Sequence, residues 1–116
     1  MEKTIKKFEY SKELRQLFWV RFAAVPEDVA KATVSPEVGD ILFDIAQKYD
    51  IEKKCPDLSE ITGAVMVGSV PIQRFTYALE GHLDISQDLA RKIATEIRDR
   101  IFAPVAESLR KVHGLK

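Results

Sequence analysis

A chain of 116 residues has the length of a single domain, for which about 100–200 residues is usual. With 46% apolar and 31% charged residues it can bury a core without a metal or disulfide staple, and its one cysteine, Cys55, excludes an internal disulfide framework and points to a reducing compartment. The formal net charge is zero, but residues 1–21 and 91–116 are net basic while 22–90 are net acidic, so either the basic ends neutralise an acidic middle or the surface is bipolar and meets a charged partner.

The opening MEKTIKKFEY has no clean period and reads as a loose arm over residues 1–10, ahead of one helical domain over 11–116. MEKTIKKFEYSKEL is charged throughout and holds no apolar stretch of the secretory kind, so a cytoplasmic location is expected. Ser11 fits an N-cap, with Glu13 in the first turn where the helix dipole favours an anion. The first helix then runs to about Ala24, with Leu14, Leu17, Phe18, Phe22 and Val25 on one face. Trp19, Val20 and Ala23 fall outside that stripe, which describes either a deeply buried helix or an exposed aromatic patch for a partner. Pro26 fits a first turn and starts a short helix over about 27–33 that carries Val29 and Ala30. Ser35-Pro36-Glu37 is a stronger start: a cap, a proline at the first helical position and an acid at the positive end. Val38, Ile41, Leu42, Ile45 and Tyr49 mark the buried face of this helix, and Asp40, Asp44, Gln47 and Lys48 the wet one.

After a polar connection over 50–56, Asp57 and Glu60 read as a capping-box-like start to LSEITGAVMVGSV, residues 58–70. Ile61 to Val70 carries no charge, and a segment apolar on all sides is buried on all sides. It is far short of the roughly 18–20 apolar residues that span a membrane. Gly63 and Gly68 each cost a helix interior about 1 kcal/mol, which close approach of a neighbouring helix would offset. A strand is disfavoured, because no second alternating segment exists to pair with it. Ser69-Val70-Pro71 ends this helix and opens the next, with Ile72, Phe75, Leu79 and Leu83 inward and a break at Gly81-His82. Ser86 caps the following helix, with Gln87 and Asp88 in its first turn. Leu89, Ile93, Ile97 and Ile101 recur every four residues, and Val105, Leu109 and Val112 continue the stripe past Pro104. The segment is one kinked helix or two meeting near Phe102-Ala103, and the unbroken stripe favours the kink. The expected fold is all-α: a compact orthogonal array of six to seven short helices around a buried central helix at about 58–70.

Three segments, VSPEVGDILFDIAQKYDI, ITGAVMVGSVPIQRF and LDISQDLARKIATEIRDRIFAPVAESLRK, together resemble a small, uncharacterised all-helical domain of predicted proteins from candidate-phyla bacteria. That family has a serine after an apolar residue before its first amphipathic helix, then a Gly-bearing apolar helix, then an IF-x-P element, here Ile101-Phe102-Ala103-Pro104. The resemblance spans roughly residues 27–112. It implies the helical fold and a bacterial origin, and brings no site residues with it.

Motifs for chemistry are sparse. Cys55, His82 and His113 have no ligand spacing, so no metal or other cofactor is expected. A nucleophilic Cys55–His82 pair would need the fold to bring the two together. The carboxylates lie at caps and on polar helix faces, and neither glycine-rich phosphate motif is present. YALEGHLDISQDLARKI is superficially a helix-turn-helix with Leu83-Asp84-Ile85-Ser86 in the turn. Asp84 stands where Gly is usual, Glu80 where a small residue is usual, and Asp88 near the start of the second helix opposes phosphate. The stripe of the last helix is a core stripe, not a membrane face. The leading expectation is a non-enzymatic protein–protein interaction module, in its simplest version a homodimer, contacting partners through Arg15, Phe18, Trp19, Arg21 and Phe22. The alternative is a nucleic-acid- or ribosome-associated factor using Lys3, Lys6, Lys7, Arg91, Lys92, Arg98 and Arg110. No small-molecule substrate is indicated.

Overall fold

Three helix starts fall on serines whose hydroxyls accept from otherwise unpaired backbone N–H groups. Ser11 Oγ accepts from Leu14 at 3.2 Å, Ser35 Oγ from Glu37 and Val38, and Ser86 Oγ from Leu89 at 3.1 Å. Each cap is worth about 1 kcal/mol. In the computed structural model, which describes residues 8–114, seven α-helices follow: α1 (Lys12–Phe22), α2 (Glu27–Thr33), α3 (Pro36–Lys48), α4 (Cys55–Val67), α5 (Phe75–Leu83), α6 (Gln87–Ile97) and α7 (Ala106–Val112). Short 3-10 turns precede α4, α5 and α7, and there is no strand among the described residues. The all-α expectation holds.

The central helix is α4, shifted from its expected position. It begins at Cys55, out of the 3-10 turn Glu52–Lys54, with Pro56 in its first turn and no side-chain cap. Asp57 is thus not a capping residue; it lies in the first turn, where its charge faces the positive helix end. Leu58, Ile61, Thr62, Ala64, Val65, Met66 and Val67 are buried, and α1, α2, α3, α5 and α7 all pack on this helix. The one hydroxyl in that set, Thr62 Oγ1, donates to the Leu58 carbonyl at 2.8 Å, so it adds no unpaired polar group to the core. Gly63 lies inside the helix and does admit a close neighbour: a Cβ there would stand 3.3 Å from Phe18 Cε1. Gly68 does not lie inside it. With φ +86° it is the left-handed residue that ends α4, and Ser69 and Val70 N–H turn back to the Ala64 carbonyl at 3.0 and 3.2 Å.

Two further expectations are corrected. Gly81-His82 does not break α5, which continues to Leu83 and ends at Asp84 in the left-handed region (φ 53°, ψ 55°). The short polar side chain of aspartate tolerates that conformation, in the turn position where glycine is usual. The loose arm does not include residues 8–10: Tyr10 is buried and Phe8 packs on the core, while residues 1–7 lie outside the described residues. At Pro104 the break is spread over two kinds of turn. The Ala103 N–H reaches back five residues to the Arg98 carbonyl, a π turn, and a 3-10 turn then leads to Val105 (φ −121°, ψ 23°) and α7. Ile93, Ile97, Ile101 and Leu109 of the expected stripe are buried.

Ion pairs join the basic C-terminal part to the acidic middle and back. Arg100 binds Asp44 at 2.9 Å, and Lys48 binds Glu96 at 3.0 Å. Tyr49 also donates to Glu96; that bond and Lys48 hold the Glu96 carboxyl below its ordinary range, and the carboxylate pushes the Tyr49 hydroxyl up. Among the described residues no helix is long and apolar enough to cross a membrane.

His113 fastens the end of α7 to the central helix. Its Nε2–H donates to the Val65 carbonyl at 2.6 Å. Burial lowers its pKa from about 6.5, the Val65 bond opposes that, and the Arg21 charge adds to the lowering. Below 6.5 the unfolded chain therefore takes the proton first. This contribution to stability is full above 6.5 and falls with pH until the folded pKa is passed. His113→Gln, which keeps a donor, is expected to flatten that part of the stability profile in urea titrations at a series of pH values. An unchanged profile would remove His113 from the account.

Candidate interaction surface

Helix α1 has no fully buried residue, so the deeply buried reading of its apolar run fails. Phe18 sits against α4 at Gly63, where the missing side chain makes room for the ring. Trp19 and Phe22 pack on Phe18, with ring centroids 5.0 and 5.9 Å from it. Trp19 meets Phe22 edge-on at 6.1 Å. The outer side of this cluster is in water: Trp19 is 69% and Val20 67% exposed. A tryptophan so placed leaves on the order of 3–4 kcal/mol of burial unrealised.

Beside the rings lies a cleft of about 270 Å³, lined among others by Tyr10, Arg15, Phe18, Trp19, Glu60 and Gly63. One wall is aromatic and the other ionic. Arg15 Nε binds Glu60 Oε2 at 3.1 Å, and its guanidinium carbon lies 5.4 Å from the centre of the Tyr10 ring. His82 Nε2 bonds to Glu60 Oε1 at 2.8 Å and lies 3.7 Å from Asp57 Oδ1. The Tyr10 ring meets His82 at 5.5 Å. Burial, then the Glu60 charge, raises the Tyr10 pKa against the opposing pull of Arg15. The hydrogen bond to Glu60 raises that of Arg15.

Of the five expected contact residues, Arg15, Phe18 and Trp19 line this cleft and Phe22 completes the ring cluster. Arg21 does not join them; it lines a separate cleft of about 340 Å³ with Val67, Lys111 and Val112. The Arg15 charge is engaged by Glu60, which leaves it less able to steer an acidic partner. Sequence reasoning missed Tyr10, Glu60, Gly63 and His82 here. The spacing of Asp57 and Glu60, three apart on one helical face, was the legible signal; the arrival of His82 from α5 was not.

Asp57, Glu60 and His82 are the described residues that could hold a metal, their ligand atoms lying within 4.8 Å of one another. A cation there would have to replace the His82–Glu60 hydrogen bond, and the neighbouring Arg15 charge opposes it. The Cys55–His82 pair is not assembled: no hydrogen bond joins them among the described residues, and His82 Nε2 faces Glu60. Of the basic residues in the alternative reading, Lys3, Lys6 and Lys7 lie outside the described residues. Arg91 and Lys92 are exposed on α6, with Lys92 beside Asp88 at 3.5 Å. Arg98 and Arg110 line a third cleft, of about 240 Å³, with Ile72, Phe102 and Leu109. No family model, curated protein or solved structure matches the chain.

Proposed function

We propose that the chain is a non-enzymatic protein–protein interaction module that makes contact through α1, a second copy of the chain being the simplest occupant. The exposure of Trp19 as the outer member of a cluster of three rings carries this reading. Aromatic anchors bordered by arginine are the composition of interface cores, and a two-fold axis would lay the same strip on itself. The ionisable groups at the cleft are tied to one another and serve as a polar rim, not as a reacting set. A reducing, cytoplasmic setting suits the unpaired Cys55 thiol.

Sedimentation velocity over a concentration series tests this. Trp19→Ala is expected to weaken self-association at least tenfold, as truncation of a central anchor does, while changing fold stability by less than about 1 kcal/mol. Association through this apolar strip is expected to survive moderate salt. A wild-type chain that stays monomeric up to millimolar concentration would sink the self-association version. Capture of a partner that Trp19→Ala does not weaken would sink the α1 surface itself.

A further inference from the structure

The cations of the chain are not all treated alike. Arg15, Lys31, Lys48, Lys92 and Arg100 each face a carboxylate within ion-pair distance. Arg21, Arg98, Arg110 and Lys111 are exposed and make no ion pair among the described residues. These four lie around α7, the C-terminal end of the described fold. Arg98 and Arg110 line the cleft of about 240 Å³, Arg21 and Lys111 the cleft of about 340 Å³, and α7 supplies a wall to both. Among the described residues no acidic one lines either cleft. The nearest acids in sequence, Asp99 and Glu107, are exposed and pair with none of the four. Asp28, on the neighbouring α2, accepts from Ser108 instead. His113, on the same end, has its pKa lowered first by burial, against the Val65 bond, with the Arg21 charge adding to the lowering.

The fold makes this end from segments far apart in sequence. Gly68 ends α4 there, and a Cβ on it would meet Val112 Cγ1 at 2.8 Å, so α7 lies close over the turn. The π turn places Arg98 beside Ile72, in the 3-10 turn that opens α5. Arg74, two residues on, stacks over Tyr77 at 4.9 Å. Unneutralised cations around apolar floors, four of the five being arginines with planar donor forks and one of these, Arg74, having its own ring partner, suit phosphate-type oxyanions. We infer that this end binds the phosphodiester backbone of a nucleic acid, with Arg21, Arg98, Arg110 and Lys111 contacting phosphates. The inference stands on charge placement and is independent of the aromatic strip. It redraws the alternative set from the sequence: Arg98 and Arg110 stay, Arg21 and Lys111 join, Lys92 leaves because it faces Asp88, and Arg91, though exposed, lines neither cleft.

Fluorescence anisotropy of the full chain with two labelled probes, a mixed-sequence DNA duplex and a single-stranded RNA of equal length, tests it between roughly 50 and 200 mM salt. Four phosphate contacts predict a log–log salt slope of about −3 to −4 on at least one probe, and the stronger probe identifies the strand form. Arg98→Ala with Arg110→Ala is expected to reduce the slope by about two and to weaken binding at least tenfold at low salt. The corresponding double lysine variant should keep the slope, and Lys12→Ala with Lys53→Ala, exposed cations elsewhere, should leave it unchanged. Circular dichroism confirms that the alanine pair folds. The inference is overturned if neither probe binds at the lowest salt or if the alanine pair keeps the full slope. It is equally overturned if polyglutamate of equal charge displaces the probe as well as unlabelled nucleic acid does, since the surface would then serve acidic protein segments.

Discussion

Phe75→Ala is expected to destabilise the chain by about 3–5 kcal/mol, a large share of the roughly 5–15 kcal/mol that holds a domain folded. Phe75 is fully buried at the first position of α5, and its ring lies 5.2 Å from that of Phe102 in the π turn. The pair therefore joins the start of α5 to the segment that carries the chain past Pro104. Truncation removes the apolar transfer energy of the ring and leaves a cavity that helices fixed by their own hydrogen bonds close only in part. Phe75→Leu keeps most of the volume and should cost less than about 2 kcal/mol. Urea denaturation gives the comparison, as a shifted midpoint with unchanged slope. A loss below about 1.5 kcal/mol for the alanine variant would mean that Phe102 moves into the space. That movement would also shift the wall of the cleft that holds Arg98 and Arg110.

The fold was legible where its determinants are local. Ser11, Ser35 and Ser86 cap helices because a short hydroxyl side chain reaches an N–H two or three residues on, whatever the rest of the chain does. The stripe of α3 was legible because alternating burial and exposure leaves a period in the sequence. Gly68 was misplaced for a physical reason: Val70, beyond the helix, is 1% exposed, so the apolar run outlasts the helix that starts it. Tyr10 was misplaced because its ring packs on His82 of α5, a contact that leaves no period in the sequence. The surface shows the same division. LFWVRFAAV is apolar on more than one face, and periodicity cannot say which face meets solvent. What decides is the absence of a side chain at Gly63, which seats Phe18 and leaves Trp19 outside. Glu60 collects Arg15 from 45 residues away and His82 from 22, separations over which a sequence carries no spacing signal.

Gly81→Ala is expected to lower stability by about 1–3 kcal/mol although alanine is the better helix former by about 1 kcal/mol. Gly81 lies inside α5, and a Cβ there would stand 2.6 Å from Phe8 N and 2.8 Å from Phe8 O. These are backbone atoms with no rotamer to change, so the segment before Ser11 must move away from α5. It would take with it the edge contact of Phe8 with Tyr77 at 6.2 Å and the buried Tyr10 ring against His82. Loss of Tyr10 also opens the aromatic cleft and removes the ring beneath the Arg15 guanidinium. Gly39 is the matched control, since it lies inside α3 with nothing within 4 Å of a Cβ. Gly39→Ala should stabilise by about 0.5–1 kcal/mol through propensity alone. Opposite signs for the two substitutions in urea denaturation, with faster proteolysis ahead of Ser11 in the Gly81 variant only, are the expected pair of results. If both glycines give equal stabilisation when replaced, the Phe8–Tyr10 segment is displaced at no cost. The aromatic cleft would then rest on α1, α2 and α4, leaving the place of the Tyr10 ring open to a partner helix.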